Sequence, residues 1–304
     1  MLNSFRIGRW LLVALLTLPL VACRTTGGVA HAKYVFIVSF DQGNPRLIEQ
    51  TDMPTFHEMQ ANGAHAAEAF TIVPSVTLPS HTSMLTGVGI QKHQVTWNGY
   101  QPTNGFVAVP TIFSLAKARG YRTAMFVGKE KFKHLAPPGS VDELVWPQPD
   151  DYARSVAQAF AGSFPKLRPN LCFIHFRDPD SVGHKTGAYS PEKMRALQDC
   201  DAALKLIKDT VAAAGVLNQS VFILTADHGS HDAKDKDGKT IGSHGDTRLE
   251  DVLIPWVAWG KGVKTGYTIT APVEQYDTAA TALSLLRVPL PEHFWGRPVT
   301  SAFK

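Results

Sequence analysis

The stretch YVFIVSFD, residues 34–41, decides the fold. Its apolar residues run almost without a break, lacking the polar alternation of a strand with one wet face, and the run stops at Asp41. A continuous β-branched and aromatic run of this length suits a strand buried on both faces, as in a parallel sheet covered by helices. Two further runs repeat the pattern. LCFIHF, residues 171–176, is soon followed by Asp178 and Asp180, and SVFILTA, residues 220–226, leads into Asp227 and His228. In such sheets ligands gather beyond the carboxyl ends of the strands, so the three acidic clusters are expected to share one edge.

Between these runs lie segments with helix boundaries. A helix is expected over 54–62, with Asp52 near its start and Gly63 past its end. Others are expected over 111–119 before Gly120, over 152–161, from Ser190-Pro191 to 214 before Gly215, and over 276–287. Residues 121–127 and 253–259 read as additional strands, and the polar stretch 229–245 as a long loop carrying functional residues. The alternation implies an α/β fold, a three-layer α/β/α arrangement with a mostly parallel central sheet. With 304 residues and 44% hydrophobic content, one sizeable core is the expectation, and residues 33–304 are read as a single catalytic domain.

The first 22 residues hold Arg6 and Arg9, an apolar run from Trp10, and Leu20-Val21-Ala22 before Cys23. The run is interrupted by Thr17 and Pro19 and is shorter than the roughly 20 apolar residues of a spanning helix, but it suits a secretory signal. Leu-Val-Ala-Cys resembles the bacterial lipobox. That resemblance implies a signal peptide over 1–22, a short linker over 23–32, and a periplasmic protein lipid-anchored at the outer membrane through Cys23. The alternative is ordinary cleavage after Ala32. Losing Arg6 and Arg9 takes the formal charge from +4 to +2, too weak to suggest a nucleic-acid polymer as partner. Cys172 and Cys200 sit in core-like patterns and read as buried thiols at least as well as a disulfide.

Asp41, Asp180, His184, Asp227, His228 and His244 are carboxylates and imidazoles, donors that Zn²⁺ accepts. Singly each has a bland explanation, such as a turn Asp or a hydrogen-bonded His; six at one sheet edge weaken it. Six ligands exceed one tetrahedron and suit two metals about 3.5–4 Å apart, the arrangement that clamps attacking and leaving oxygens in phosphoryl displacement. In SVTLPSHTSMLTG, residues 75–87, Thr77 stands where a helix starts, just ahead of Leu78-Pro79, and Gly87 stands past its end. Thr77 reads either as an N-cap or as a nucleophile that metal coordination activates.

These motifs resemble the alkaline phosphatase superfamily, and most closely its type I phosphodiesterase/nucleotide pyrophosphatase branch, from residue 34 almost to the C-terminus. The family's Asp-Gly corresponds to Asp41-Gln42-Gly43, Thr-Phe-Pro-Asn-His to Thr77-Leu78-Pro79-Ser80-His81, Glu-Pro-Asp…Gly-His to Asp178-Pro179-Asp180…Gly183-His184, and Ser-Asp-His-Gly to Ala226-Asp227-His228-Gly229. The resemblance implies an alkaline-phosphatase-like fold and two zinc ions, one on Asp41, Asp227 and His228 together with Thr77, the other on Asp180, His184 and His244. It also implies that Asn98, in HQVTWNGY, binds a phosphoryl oxygen. Gln42 and Ser80 depart from the family pattern, while His81 and His231 stand either as groups that support the ligands or as rival ligands. His57, His65, His93, His134 and His175 read as surface or core histidines.

The expected function is therefore hydrolysis of phosphate esters, with diesters as the first substrate class and a phosphothreonine intermediate. Lys129 and Lys131, in GKEKFKHL, resemble the Lys-x-Arg of some threonine-dependent alkaline phosphatases and the Lys-x-Lys of phosphonoacetate hydrolases. They would bind a second anionic group, or else form a solvated basic run with Lys133. Monoester or phosphonate hydrolysis is the alternative, sulfatase activity is set aside because Thr77 cannot become formylglycine, and a lipid-anchored binding protein is the non-enzymatic reading.

Overall fold

The computed structural model describes residues 30–304; the lipobox-like segment at 20–23 lies outside them. In chain order the strands are β1 (Tyr34–Phe40), β2 (Ala64–Ala66), β3 (Ala69–Phe70), β4 (Thr123–Val127), β5 (Glu143–Val145), β6 (Leu171–Phe176), β7 (Ser220–Thr225), β8 (His231–Lys234), β9 (Thr240–Ser243), β10 (Trp256–Gly260), β11 (Tyr267–Ile269) and β12 (Val273–Glu274). The helices are α1 (Pro45–Gln50), α2 (Pro54–Ala61), α3 (Thr77–Thr86), α4 (Ile90–His93), α5 (Ile112–Lys117), α6 (Ala153–Leu167), α7 (Asp178–Thr186), α8 (Pro191–Ala213), α9 (Leu249–Val252) and α10 (Asp277–Leu285).

Eight strands form one sheet in the order β11-β2-β10-β7-β1-β6-β4-β5. β1 pairs in parallel with both β6 and β7, and β6 in parallel with β4, so four carboxyl ends lie side by side. β10 alone reverses direction, running antiparallel to β7 and β2. Its start at Trp256, later than expected, follows Pro255, which lacks the N–H a ladder needs.

The unbroken apolar run in β1 has the predicted cause: all seven residues are buried. Val35 and Ile37 face α3, α5 and α10, whereas Tyr34, Phe36, Val38 and Phe40 face α2, α6 and α8. The result is the expected three-layer α/β/α architecture. Phe36 stacks on Phe222 at 4.7 Å between centroids and meets Phe160 edge-on at 5.9 Å. Truncating so buried a ring would cost about 3–5 kcal/mol. The same packing explains why α6 overruns its expected end, past Gly162 and Pro165. Phe164 stacks on Phe160 at 5.0 Å, and this burial outweighs the local helix-breaking preference.

Two other expectations are corrected. The 229–245 stretch is not simply a loop, because β8 and β9 pair as an antiparallel hairpin within it. α3 begins at Thr77 itself, with Val76 in the cap position and no side-chain cap bond. Gly87 closes this helix with φ 71°, where a Cβ would run into the ring of Phe294. Cys172 and Cys200 are free and buried.

Candidate active site

Four chain segments deliver the candidate ligands to the carboxyl edge of the sheet. Asp41 follows β1, Asp180 and His184 lie one turn apart on α7 after β6, Asp227 and His228 follow β7, and the β8–β9 hairpin presents His244. Asp180 Oδ1 lies 3.1 Å from His184 Nε2 and 3.4 Å from His244 Nε2. Asp41 Oδ1 lies 3.6 Å from His228 Nε2, and Asp227 Oδ2 3.2 Å from the same nitrogen. The His228 and His244 rings stack at 3.8 Å, which joins the two groups into one cluster.

The histidine tautomers follow from their other ring nitrogens. Nδ1 of His184 faces the Gly242 carbonyl at 3.0 Å, Nδ1 of His228 the Gly229 carbonyl at 2.9 Å, and Nδ1 of His244 the Ser75 carbonyl at 2.9 Å. A carbonyl oxygen only accepts, so each Nδ1 carries a proton, and a ring that binds metal would do so through the Nε2 lone pair. The Nε2 atoms of His184 and His244 lie 3.2 Å apart. Asp41 Oδ1, Asp227 Oδ2 and His228 Nε2 are buried with no hydrogen-bond partner at all. Lone pairs and carboxylates converging this closely repel unless a cation sits among them, so the donor set fits metal ions. Asp180, His184 and His244 form one metal-sized group, and Asp41, Asp180 and His228 another. Asp227, assigned to the second group by resemblance, stands beside it.

The electrostatics agree. Burial raises Asp227 well above the usual carboxylate range, and the charge of Asp41 adds to the effect. Burial, joined at Asp41 by the charge of Asp180, pushes Asp41 and Asp180 up, but Lys129 together with His175 at Asp41, and together with His184 and His244 at Asp180, outweighs it, so both end below the usual range. Burial, with His244 next to it, holds His228 well below its ordinary value and hence neutral.

Thr77 Oγ1 receives a hydrogen bond from Lys129 Nζ at 3.3 Å. Its side chain caps no helix N–H, so the capping alternative falls. Asn98 is held through its carbonyl oxygen, which accepts from Leu78 N–H at 2.9 Å and from Lys131 Nζ at 3.1 Å. Both partners are donors here, so the amide orientation is fixed and Nδ2 is left to donate elsewhere. Lys129 and Lys131 are no solvated run. Lys129 Nζ reaches Asp41 Oδ2 at 2.5 Å and Asp180 Oδ2 at 2.7 Å, and burial followed by the neighbouring Lys129 pushes Lys131 down to about 8.

Three residues at the site escaped the sequence reading. His175, read as an ordinary surface or core histidine, donates from Nε2 to Asp41 Oδ2 at 2.9 Å. Gln42 and Lys193 form a buried chain beneath Asp180. The one available signal was Gln42 standing where a glycine was expected. Of the rival ligands, His81 bonds Ser39 and the Thr77 carbonyl, and His231 bonds Asp251 at 2.7 Å.

An inactive variant of murine ectonucleotide pyrophosphatase/phosphodiesterase 5 in complex with AMP superposes with a TM-score of 0.73 at 17% identity, over 90% of this chain and all of that one. A phosphonate monoester hydrolase from Silicibacter pomeroyi superposes with a TM-score of 0.66 at 14% identity, over 90% of this chain and 77% of that one. These likenesses establish an alkaline-phosphatase-like fold. Human ectonucleotide pyrophosphatase/phosphodiesterase family member 7 is 23% identical over 232 residues, covering 69% of this chain and 50% of the relative. The chain spans about half the length of this relative and of its mouse and rat counterparts. Residues 35–281, which contain every candidate site residue, match the type I phosphodiesterase / nucleotide pyrophosphatase family, and the chain belongs to that family.

Proposed function

We propose that this protein is a metal-dependent hydrolase of phosphate esters with Thr77 as nucleophile. One observation carries the reading: a threonine 1% exposed, with no capping role, opens α3 beside a cluster of unpartnered carboxylate and imidazole atoms. Asp41, Asp227 and His228, with Thr77, would hold one zinc ion, and Asp180, His184 and His244 the other. Bound metal supplies the positive charge that makes the threonine hydroxyl acidic and neutralises the phosphoryl oxygens.

The chain's own groups divide the remaining work. Thr77 Oγ1 attacks phosphorus in line, the ester oxygen departs, and a phosphothreonine forms that water then hydrolyses. Asn98 Nδ2 is the donor for a phosphoryl oxygen, and its fixed orientation means that no reorganisation is needed as negative charge develops there. Family membership favours a diester as substrate. A second reading has its own support, because two lysine ammonium groups within reach of Thr77 and Asn98 suit the additional charge of a monoester or a phosphonate. The apolar segment before Cys23 supports export and lipid anchoring, with 33–304 as the catalytic domain; mass spectrometry of the mature N-terminus tests the anchor.

The deciding assay compares a chromogenic diester with its monoester on zinc-loaded protein, with Thr77→Ala as control. Thr77→Ala is expected to abolish turnover while zinc binding persists; near-normal turnover would refute the nucleophile. Preference for the monoester, lost in Lys129→Ala and Lys131→Ala, would select the second reading.

A further inference from the structure

Lys193 lies on α8 with no exposed surface. Its Nζ donates to Gln42 Oε1 at 2.7 Å and to Ser230 Oγ at 2.8 Å. An amine can only donate toward an amide oxygen, so this contact fixes which way the Gln42 carboxamide points. Its Nε2 consequently faces Asp180 and donates to Oδ1 at 3.1 Å. Beside the imidazoles of His184 and His244, Gln42 is the amide donor to that oxygen among the described residues. The backbone N–H of Gln42 meanwhile donates to Asp227 Oδ1 at 3.1 Å.

Two costs are accepted to keep this arrangement. Gln42 sits at φ 61°, a left-handed conformation that a glycine would adopt without penalty. On α7, Gly183 leaves the space that the carboxamide fills, since a Cβ there would collide with Gln42 Oε1. A strained glutamine, an absent Cβ and a buried amine all converge on one oxygen of Asp180.

We propose that Lys193 is a positioning residue that acts through Gln42 to hold Asp180 in the orientation that binds metal. The proposal rests on the metal-dependent reading above. Burial pushes Lys193 down to about 7, and a cation among the carboxylates would push it the same way. The neutral amine still has N–H groups to donate, so the relay does not require the charge.

The test is a double-mutant cycle of Lys193→Met and Gln42→Gly, reading zinc affinity by calorimetry on chelator-stripped protein titrated with zinc chloride. Outer-shell partners of metal ligands typically contribute 10–100-fold in affinity. Each single variant is expected to lose about tenfold or more in affinity for at least one zinc, and the double variant no more than the worse single. Excess zinc should restore most of the lost turnover, because the defect lies in affinity rather than in the chemistry. Wild-type affinity in either single variant, or multiplying losses in the double, would overturn the relay. If Lys193→Met fails to fold, Lys193→Gln takes its place in the cycle, while Gln42→Gly suits that backbone and overturns the relay by itself if its zinc affinity is unchanged. A wild-type protein that takes up no zinc would instead refute the metal-dependent reading and the relay with it, a result distinct from unaltered variants.

Discussion

Asn98 offers a perturbation whose two halves separate cleanly. Asn98→Asp keeps the oxygen that accepts from Leu78 N–H and Lys131 and replaces the free amide donor with a second, anionic oxygen. Asn98→Ala removes both. If the amide donates to a phosphoryl oxygen in the transition state, losing it should lower kcat by about 10²–10³ in either variant, roughly 2.7–4 kcal/mol. Stability should diverge. Leu78 is buried, so alanine strands its N–H at a cost of about 1–3 kcal/mol, which for a domain of this size lowers Tm by about 2–12 °C. Aspartate retains that bond and gains a charge-assisted partner in Lys131. The assay is kcat on zinc-loaded protein beside a thermal melt. Asn98→Asp retaining kcat within about tenfold of wild type would refute the donor role, and equal melting losses in both variants would refute the anchoring of Asn98 on Leu78.

Further expectations follow from the buried charges. Burial raises Asp178 to about 7 despite hydrogen bonds from Ala153 N–H. The unfolded chain ionises first, so stability should fall as pH rises from the ordinary carboxylate range toward 7 and level off above; Asp178→Asn should shrink the Tm difference between pH 5 and pH 8, and an unchanged difference would contradict this. Lys131 should lose its proton near pH 8, so KM for a monoester should climb above that pH, and Lys131→Met should show a high KM throughout. Zinc added to stripped protein at about a thousandfold excess over Kd should stabilise by about 4 kcal/mol, read as a rise in Tm; no rise would argue against metal binding.

The sheet was legible because its central strands are buried on both faces, so β1, β6 and β7 advertise themselves as apolar runs with acids at their ends. Asp41, Asp180 and Asp227 stand at those ends, and all are at the site. The β8–β9 hairpin was not legible, because its strands pair only with each other and carry His231, Asp232 and Lys234, with no apolar period to detect. Lys193 looked like any charged residue on an amphipathic helix, and only the tertiary fold reveals that its amine is buried. His175 belongs to an apolar strand, where a histidine reads as core; its partner Asp41 lies 134 residues away.

The way the ligands are spread along the chain has a kinetic consequence. The bond from Gln42 N–H to Asp227 joins residues 185 positions apart, and His244 comes later still. Contacts of such separation form only after long loops have closed, and topologies built on them fold slowly. A growing chain therefore has no complete set of ligands to offer until the last of these segments has been synthesised and docked, so metal uptake reports a finished domain rather than seeding an early one.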